Sequence, residues 1–251
     1  MVRILLLLAC LSLPLSVTAN QPVRIAAAAD LQLALTELAR QFKAEHPQAD
    51  LRITFGSSGV FATQLRQGAP FELYFSANAD YVHILYEEGL TLDEGTDYAF
   101  GRLAFYTRDP LQADTAEQAL AAWHQQARNT HKLSIANPRH APYGVAAIGW
   151  LDQLGMEQAL KHRLVLGENA AQSVQFVLSG AARSGIVAWP LLASRDDLPG
   201  SRWLIPEDQH PPLQQRMVLM KNAGPVAHAF YHYLQTDAAR QVFSHHGFGA
   251  P

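Results

Sequence analysis

The sequence predicts an α/β fold whose mostly parallel sheets are covered by helices on both faces. Short apolar runs with strand character alternate with longer runs of helical periodicity along the chain. The junctions that lead from strand to helix carry Gly, Ser, Asn or Pro, as at Gly56-Ser57-Ser58-Gly59 and Asn137-Pro138. About 231 residues follow the N-terminal leader, enough for one large domain or two small ones. In parallel sheets of this kind ligands bind beyond the carboxyl ends of the strands, where the helices begin.

The leader is Met1–Asn20. Arg3 gives it a positive start, Ile4–Leu13 an apolar core, and Val17-Thr18-Ala19 a small-x-small cleavage site. This is the pattern of a cleaved export signal, too short for a membrane span, and it predicts a periplasmic location. Leu7-Leu8-Ala9-Cys10 resembles a lipoprotein cleavage box, but a cut there leaves a very short apolar core, so soluble export is preferred. Cys10 is the single cysteine of the 251 residues, so the mature chain has no disulfide and no thiol nucleophile.

Val23–Ala28 reads as a strand. Leu31, Ala34, Leu35, Leu38, Ala39 and Phe42 then share one face of a helix running to Glu45, which Pro47 stops. Strand Leu51–Phe55, the Gly-Ser turn and helix Val60–Gln67 follow. Gly68-Ala69-Pro70 breaks the chain before strand Phe71–Ser76, and Asn78 caps a helix that ends near Gly89. Leu103–Thr107 is a strand, Asp114–Arg128 a helix, and Leu133–Ala136 a strand entering Asn137–Gly144. The next helix closes on Gly155. Strand Leu164–Gly167, the Asn169-capped helix Ala170–Ser179 and buried strand Gly185–Ala188 come next. Arg202–Ile205 reads as an edge strand and Gln214–Met220 as another strand, before helices Val226–Gln235 and Asp237–His245.

Four strand-to-helix turns stand out: Ala28-Ala29-Asp30, Gly56–Gly59, Asn137–Gly144 and Glu168-Asn169-Ala170-Ala171. The first N–H groups of a helix have no partner within it, and they lie at the positive end of its dipole. Such turns suit an oxyanion, and Ser57 and Ser58 add hydroxyl donors. A serine before a helix more often serves only as its N-cap, so it is the repetition of the turn that carries the anion prediction. A cage of neutral donors holds a fully ionised oxyanion through bonds that are charge-assisted on the ligand side. It also suits this chain, whose formal charge of −3 becomes −4 once Arg3 leaves with the leader. No basic run is present, which argues against nucleic acid as a partner.

Over nearly the whole mature length the chain resembles the periplasmic molybdate/tungstate-binding proteins of ABC importers. The likeness rests on Ala26-Ala27-Ala28-Ala29-Asp30-Leu31, Phe55-Gly56-Ser57-Ser58-Gly59 and Gly68-Ala69-Pro70-Phe71. It continues through Phe75-Ser76-Ala77-Asn78, Asn137-Pro138-Arg139-His140-Ala141-Pro142-Tyr143-Gly144, Gly185-Ile186-Val187 and His246-Gly247-Phe248. The resemblance implies a periplasmic-binding-protein-like fold of two α/β lobes joined by two crossover segments, with the oxyanion between them. Lobe one would be residues 21–101 plus 214–251, and lobe two residues 102–213. It implies molybdate or tungstate as ligand, the membrane permease of an importer as partner, a monomer, no cofactor and no catalysis.

Carried over singly, the family's ligand positions fall on Ser58 with its neighbour Ser57, on Tyr143, and on Ala170 or the adjacent Ala171. The family's tyrosine from the lobe-two strand has no match, since Ala188 stands in its place and Tyr143 substitutes for it. At the first turn, where the family offers Ser, Thr or Asn, this chain has Asp30. A carboxylate about 4 Å from a dianion repels it by several kcal/mol at an effective dielectric of roughly 20. Three roles are therefore open to Asp30: capping its own helix, accepting a proton from a ligand such as hydrogen phosphate, or pairing with Arg139 or His140. The nearest alternative function is the same scaffold tuned to phosphate or sulfate.

Two other chemistries are weakly supported. Eleven histidines include His228 and His232 at helical spacing and the pair His245-His246, but no zinc signature and no mature cysteine accompanies them. A serine hydrolase at Ser57 or Ser58 would need a nucleophile elbow, and Gly-Ser-Ser-Gly is not one.

Overall fold

A computed structural model of the protein describes residues 21–128 and 130–251. The predicted leader, with Cys10, lies outside these residues. The chain begins with β1 (Val23–Ala28), a single 3-10 turn (Ala29–Leu31), α1 (Gln32–Glu45), β2 (Leu51–Gly56), α2 (Ser58–Arg66), β3 (Leu73–Ser76), α3 (Ala79–Glu87) and β4 (Thr96–Phe100). It continues through β5 (Leu103–Thr107), α4 (Ala116–Gln126), β6 (Leu133–Ala136), α5 (Pro142–Gln153), α6 (Glu157–Leu160), β7 (Leu164–Gly167), α7 (Ala170–Ser179), β8 (Ser184–Ala188) and β9 (Ser201–Leu204). It closes with β10 (Gln214–Leu219), α8 (Pro225–Tyr233) and α9 (Asp237–His245).

The strands form two five-stranded sheets, ordered β2-β1-β3-β10-β4 and β7-β6-β8-β5-β9. The two α/β lobes share one plan. In each, three neighbouring strands pair in parallel, the fourth runs against them, and the edge strand runs against that fourth one. Four strands of five therefore point one way in each sheet. The reversed strands, β10 and β5, are the ones the chain enters on crossing from the other sheet.

Strand alternation distributes the core. Ile25 and Ala27 of β1 pack with Leu35 and Phe42 of α1, Phe230 of α8 and Phe243 of α9. Ala26, on the opposite face, packs with Phe61 and Leu65 of α2 and Val82 and Leu85 of α3. Burying apolar side chains on both faces is what a parallel sheet requires. The second lobe has its own core around Phe105, Trp123 and Trp150, and Ala28 and Ala77 of the first lobe reach into it.

Caps fall where turn chemistry places them. The Asn78 side chain accepts from the Asp80 N–H, and the Asn169 side chain from the Gln172 N–H. Strand β4 was not predicted: Thr96-Asp97-Tyr98-Ala99-Phe100 is short and opens on polar residues, and it is held by antiparallel pairing with β10. Helix α4 starts later than expected because Thr115 caps it, accepting from the Gln118 N–H.

Candidate functional site

Register brings the four turns together. In-register pairing of β1 with β2 ends at Ala28 beside Gly56, so the turns that follow are neighbours. The pairing of β6 with β7 ends at Ala136 beside Gly167, which does the same for the other two. The two pairs of turns meet across the lobe interface. Asp30, Ser57, Ser58, Tyr143 and Ala170 are all buried there, none more than 6% exposed.

Ser57 occupies the N-cap position of α2 without capping it. Its hydroxyl instead donates across the lobes to the carbonyl of His140, and Nδ1 of His140 lies 2.9 Å from the same Oγ. The Gly59 N–H also donates to the His140 carbonyl, at 3.0 Å. The positive end of α2 is thus met by a neutral acceptor from the other lobe. His140 continues to the fourth turn, its Nε2 being 3.6 Å from Glu168 Oε2.

Ser58 faces inward. Its Oγ accepts from the Ala77 N–H at 3.0 Å and its carbonyl accepts from the Tyr74 hydroxyl at 2.8 Å. The hydroxyl proton of Ser58 remains available as a donor. Ala170 opens α7, whose first turn is tied down by the Asn169 cap and by a bond from Ser173 Oγ to the Ala170 carbonyl. Helix α7 packs against the Ala29–Leu31 turn, which sets the first and fourth turns side by side. Ala188, at the end of β8, is fully buried.

Asp30 takes neither the capping nor the cation-paired role. It lies inside the Ala29–Leu31 turn, whose N-cap position is Ala28, and no side chain caps that turn. Its Oδ2 accepts from the Tyr143 hydroxyl at 3.0 Å and from Gln215 Nε2 at 2.8 Å. Arg139 is exposed and His140 is engaged with Ser57 and Glu168, so neither pairs with Asp30. Oδ1 of Asp30 is buried without a hydrogen-bond partner. Burial pushes the carboxyl up to about 6, against the pull of Tyr143, Gln215 and the nearby N–H groups of Asp30 and Leu31. Those two N–H groups act on the charge without closing a bond to Oδ1. Burial and the adjacent Asp30 charge in turn push Tyr143 and Tyr98 well above the ordinary phenol range.

Gln215 and Tyr98 were not foreseen. Gln215 Oε1 accepts from the Tyr98 hydroxyl at 2.9 Å, which completes a buried chain Tyr143–Asp30–Gln215–Tyr98. A signal existed for Gln215. It alternates with Met217 and Leu219, two core residues of β10, and a polar side chain at a core position needs a partner. Tyr98 lies on the unforeseen β4 and carried no comparable mark. Among the described residues no group of three or more His, Cys, Asp or Glu side chains could hold a metal ion.

Helix N-termini and hydroxyls from both lobes converge here with one carboxyl among them, a donor set that suits a small anion. The sequence pattern of the bacterial extracellular solute-binding proteins matches residues 23–249. The chain is 34% identical to the molybdate-binding protein ModA of Azotobacter vinelandii over 90% of its own length and 89% of that protein's. It is 34% identical to the ModA of Rhodobacter capsulatus, over 77% of this chain and 75% of that one. Its backbone matches the solved periplasmic molybdate-binding protein of Azotobacter vinelandii with a TM-score of 0.83, covering 91% of this chain and 99% of that one at 28% identity.

Proposed function

As a member of the bacterial extracellular solute-binding family, the chain has a binding and transport role, and we propose that it captures molybdate between its lobes for an ABC importer. Tungstate, an oxyanion of the same shape and charge, is the second expected ligand. The observation that carries this reading is the closure of four strand-to-helix turns upon one another across the lobe interface. The donors we assign are Ser58 Oγ, the Tyr143 hydroxyl and the backbone N–H groups at Ser57, Ala170 and Asp30. We take lobe one as residues 21–101 plus 214–251 and lobe two as residues 102–213. The partner is the importer's permease, recognising the closed form of a monomer exported to the periplasm. We read the site as one that holds its ligand without turnover, since the Ser57 hydroxyl is spent on a carbonyl and is not poised to attack.

A phosphate-binding variant of the same scaffold has one observation in its favour, the buried Oδ1 of Asp30, which could accept a proton from hydrogen phosphate. Calorimetry of the mature protein with molybdate, tungstate, sulfate and phosphate separates the two. Tight binding of molybdate is expected, and sub-micromolar binding of phosphate alone would overturn the assignment. Ser58→Ala and Tyr143→Phe should each weaken molybdate binding by about 1–3 kcal/mol, the scale for a lost hydrogen bond to a charged group.

A further inference from the structure

Asp30 puts a negative charge where the proposed ligand brings two more. It is 1% exposed, one carboxylate oxygen is bonded to Tyr143 and Gln215, and the other is buried without a partner. That carboxylate repels an entering dianion for as long as it keeps its charge. We propose that Asp30 makes oxyanion capture proton-coupled, taking one proton from solvent as a dianion enters and donating the resulting O–H to it. This deepens the reading of the site as an oxyanion cage and rests on it.

The surroundings permit this step and offer no other way to neutralise the charge. From α5 the facing titratable group is Tyr143, from β4 it is Tyr98 acting through Gln215 of β10, and beyond Tyr98 lies Tyr74 of β3. All three are phenols that stay protonated at neutral pH. The α2 turn contributes Ser57 and Ser58, which carry no charge. At the fourth turn Glu168 lies next to His140, whose ring is bound to Ser57. The Arg102 side chain, on the crossing between the sheets, is paired with Glu207. No cation among the described residues is placed to balance Asp30 once an anion is beside it.

Above pH 6 the carboxyl is ionised in the unliganded protein, given its displacement to about 6. In the complex it is protonated: an O–H bond forms on Asp30, water or buffer loses that proton, and the Tyr143 hydroxyl turns from Asp30 to the ligand. Net charge entering the closed site falls by one. Linkage then makes affinity drop about tenfold for each pH unit above 6 and level off below it.

Molybdate titrations by calorimetry, at pH 5.5 to 8.5 and in two buffers of unlike ionisation enthalpy, test the idea on the wild-type mature protein. The expected result is uptake of about one proton per anion at pH 7.5, with the tenfold-per-unit fall in affinity. Asp30→Asn, which keeps the bonds to Gln215 and Tyr143 but cannot titrate, should bind without proton uptake and with an affinity flat across the range. Wild-type binding without proton exchange overturns the coupling and leaves the oxyanion site standing, as does proton uptake that persists in Asp30→Asn. Failure of wild-type protein to bind molybdate at any pH overturns the site assignment and the coupling with it.

Discussion

Asp30 is a buried carboxyl at the junction of the lobes, bonded to Tyr143 and Gln215. Burial penalises the charged form and pushes its carboxyl from the ordinary 3.8 up to about 6. The folded protein therefore binds its proton more tightly than the unfolded chain does. Stability contributed by that proton is complete below pH 4 and is lost as pH rises through 6. The displacement corresponds to about 3 kcal/mol. Asp30→Asn should accordingly be more stable than wild type by up to about 3 kcal/mol at pH 7.5, with the difference vanishing near pH 4. Urea denaturation at the two pH values measures this, and an equal difference at both would show that the carboxyl's charge is not the cause. At this scale the sequence was legible where a residue's neighbours in the chain fix its environment. The Ser57-Ser58 turn could be read from its own residues, whereas Tyr143 and Ala170 came only from the positions that the family resemblance implies. The partners of Asp30 were not legible, since Tyr143 lies 113 residues away and Gln215 185.

At the scale of elements, the close approaches of two glycines have different consequences. A Cβ on Gly144 would collide with the Ala136 carbonyl, inside the second lobe between β6 and α5. One on Gly59 would come within 2.8 Å of the Tyr81 hydroxyl and 2.9 Å of the His140 carbonyl, the latter across the lobe interface. Gly144→Ala should therefore cost folding stability, of order 1–3 kcal/mol for overpacking. Gly59→Ala should leave the melting temperature near wild type and weaken anion binding, because it obstructs closure more than folding. A thermal melt paired with a molybdate titration distinguishes them, and equal losses of stability in both variants would contradict the assignment. The elements themselves were largely readable. Strands β5, β6 and β7, and helices α7 and α9, begin and end where periodicity and caps put them. Strand β4 was missed because its identity comes from pairing with β10, which is 114 residues further on in the register Phe100↔Gln214. Local pattern carries no trace of such a partner.

For the whole molecule, alternation of strands and helices was enough to give an α/β class with mostly parallel sheets. It could not give the order of strands in either sheet, nor the reversed β5 and β10, because order depends on which edge each crossover reaches. The shared plan of the two lobes gives the site its character. Each lobe presents helix N-termini at the carboxyl ends of its strands, and the contacts of Gly59 with His140 and of Asp30 with Tyr143 show where the two sets meet. A ligand held there touches both lobes, and so favours the form in which they are closed. The crystal structure of the mature protein grown with molybdate tests this most directly, using molybdenum's anomalous signal to locate the anion. It should show one anion between the lobes within hydrogen-bonding distance of Ser58 Oγ, the Tyr143 hydroxyl and the Ala170 N–H. A molybdenum peak elsewhere on the protein, with the Asp30–Tyr143 bond intact, would contradict it.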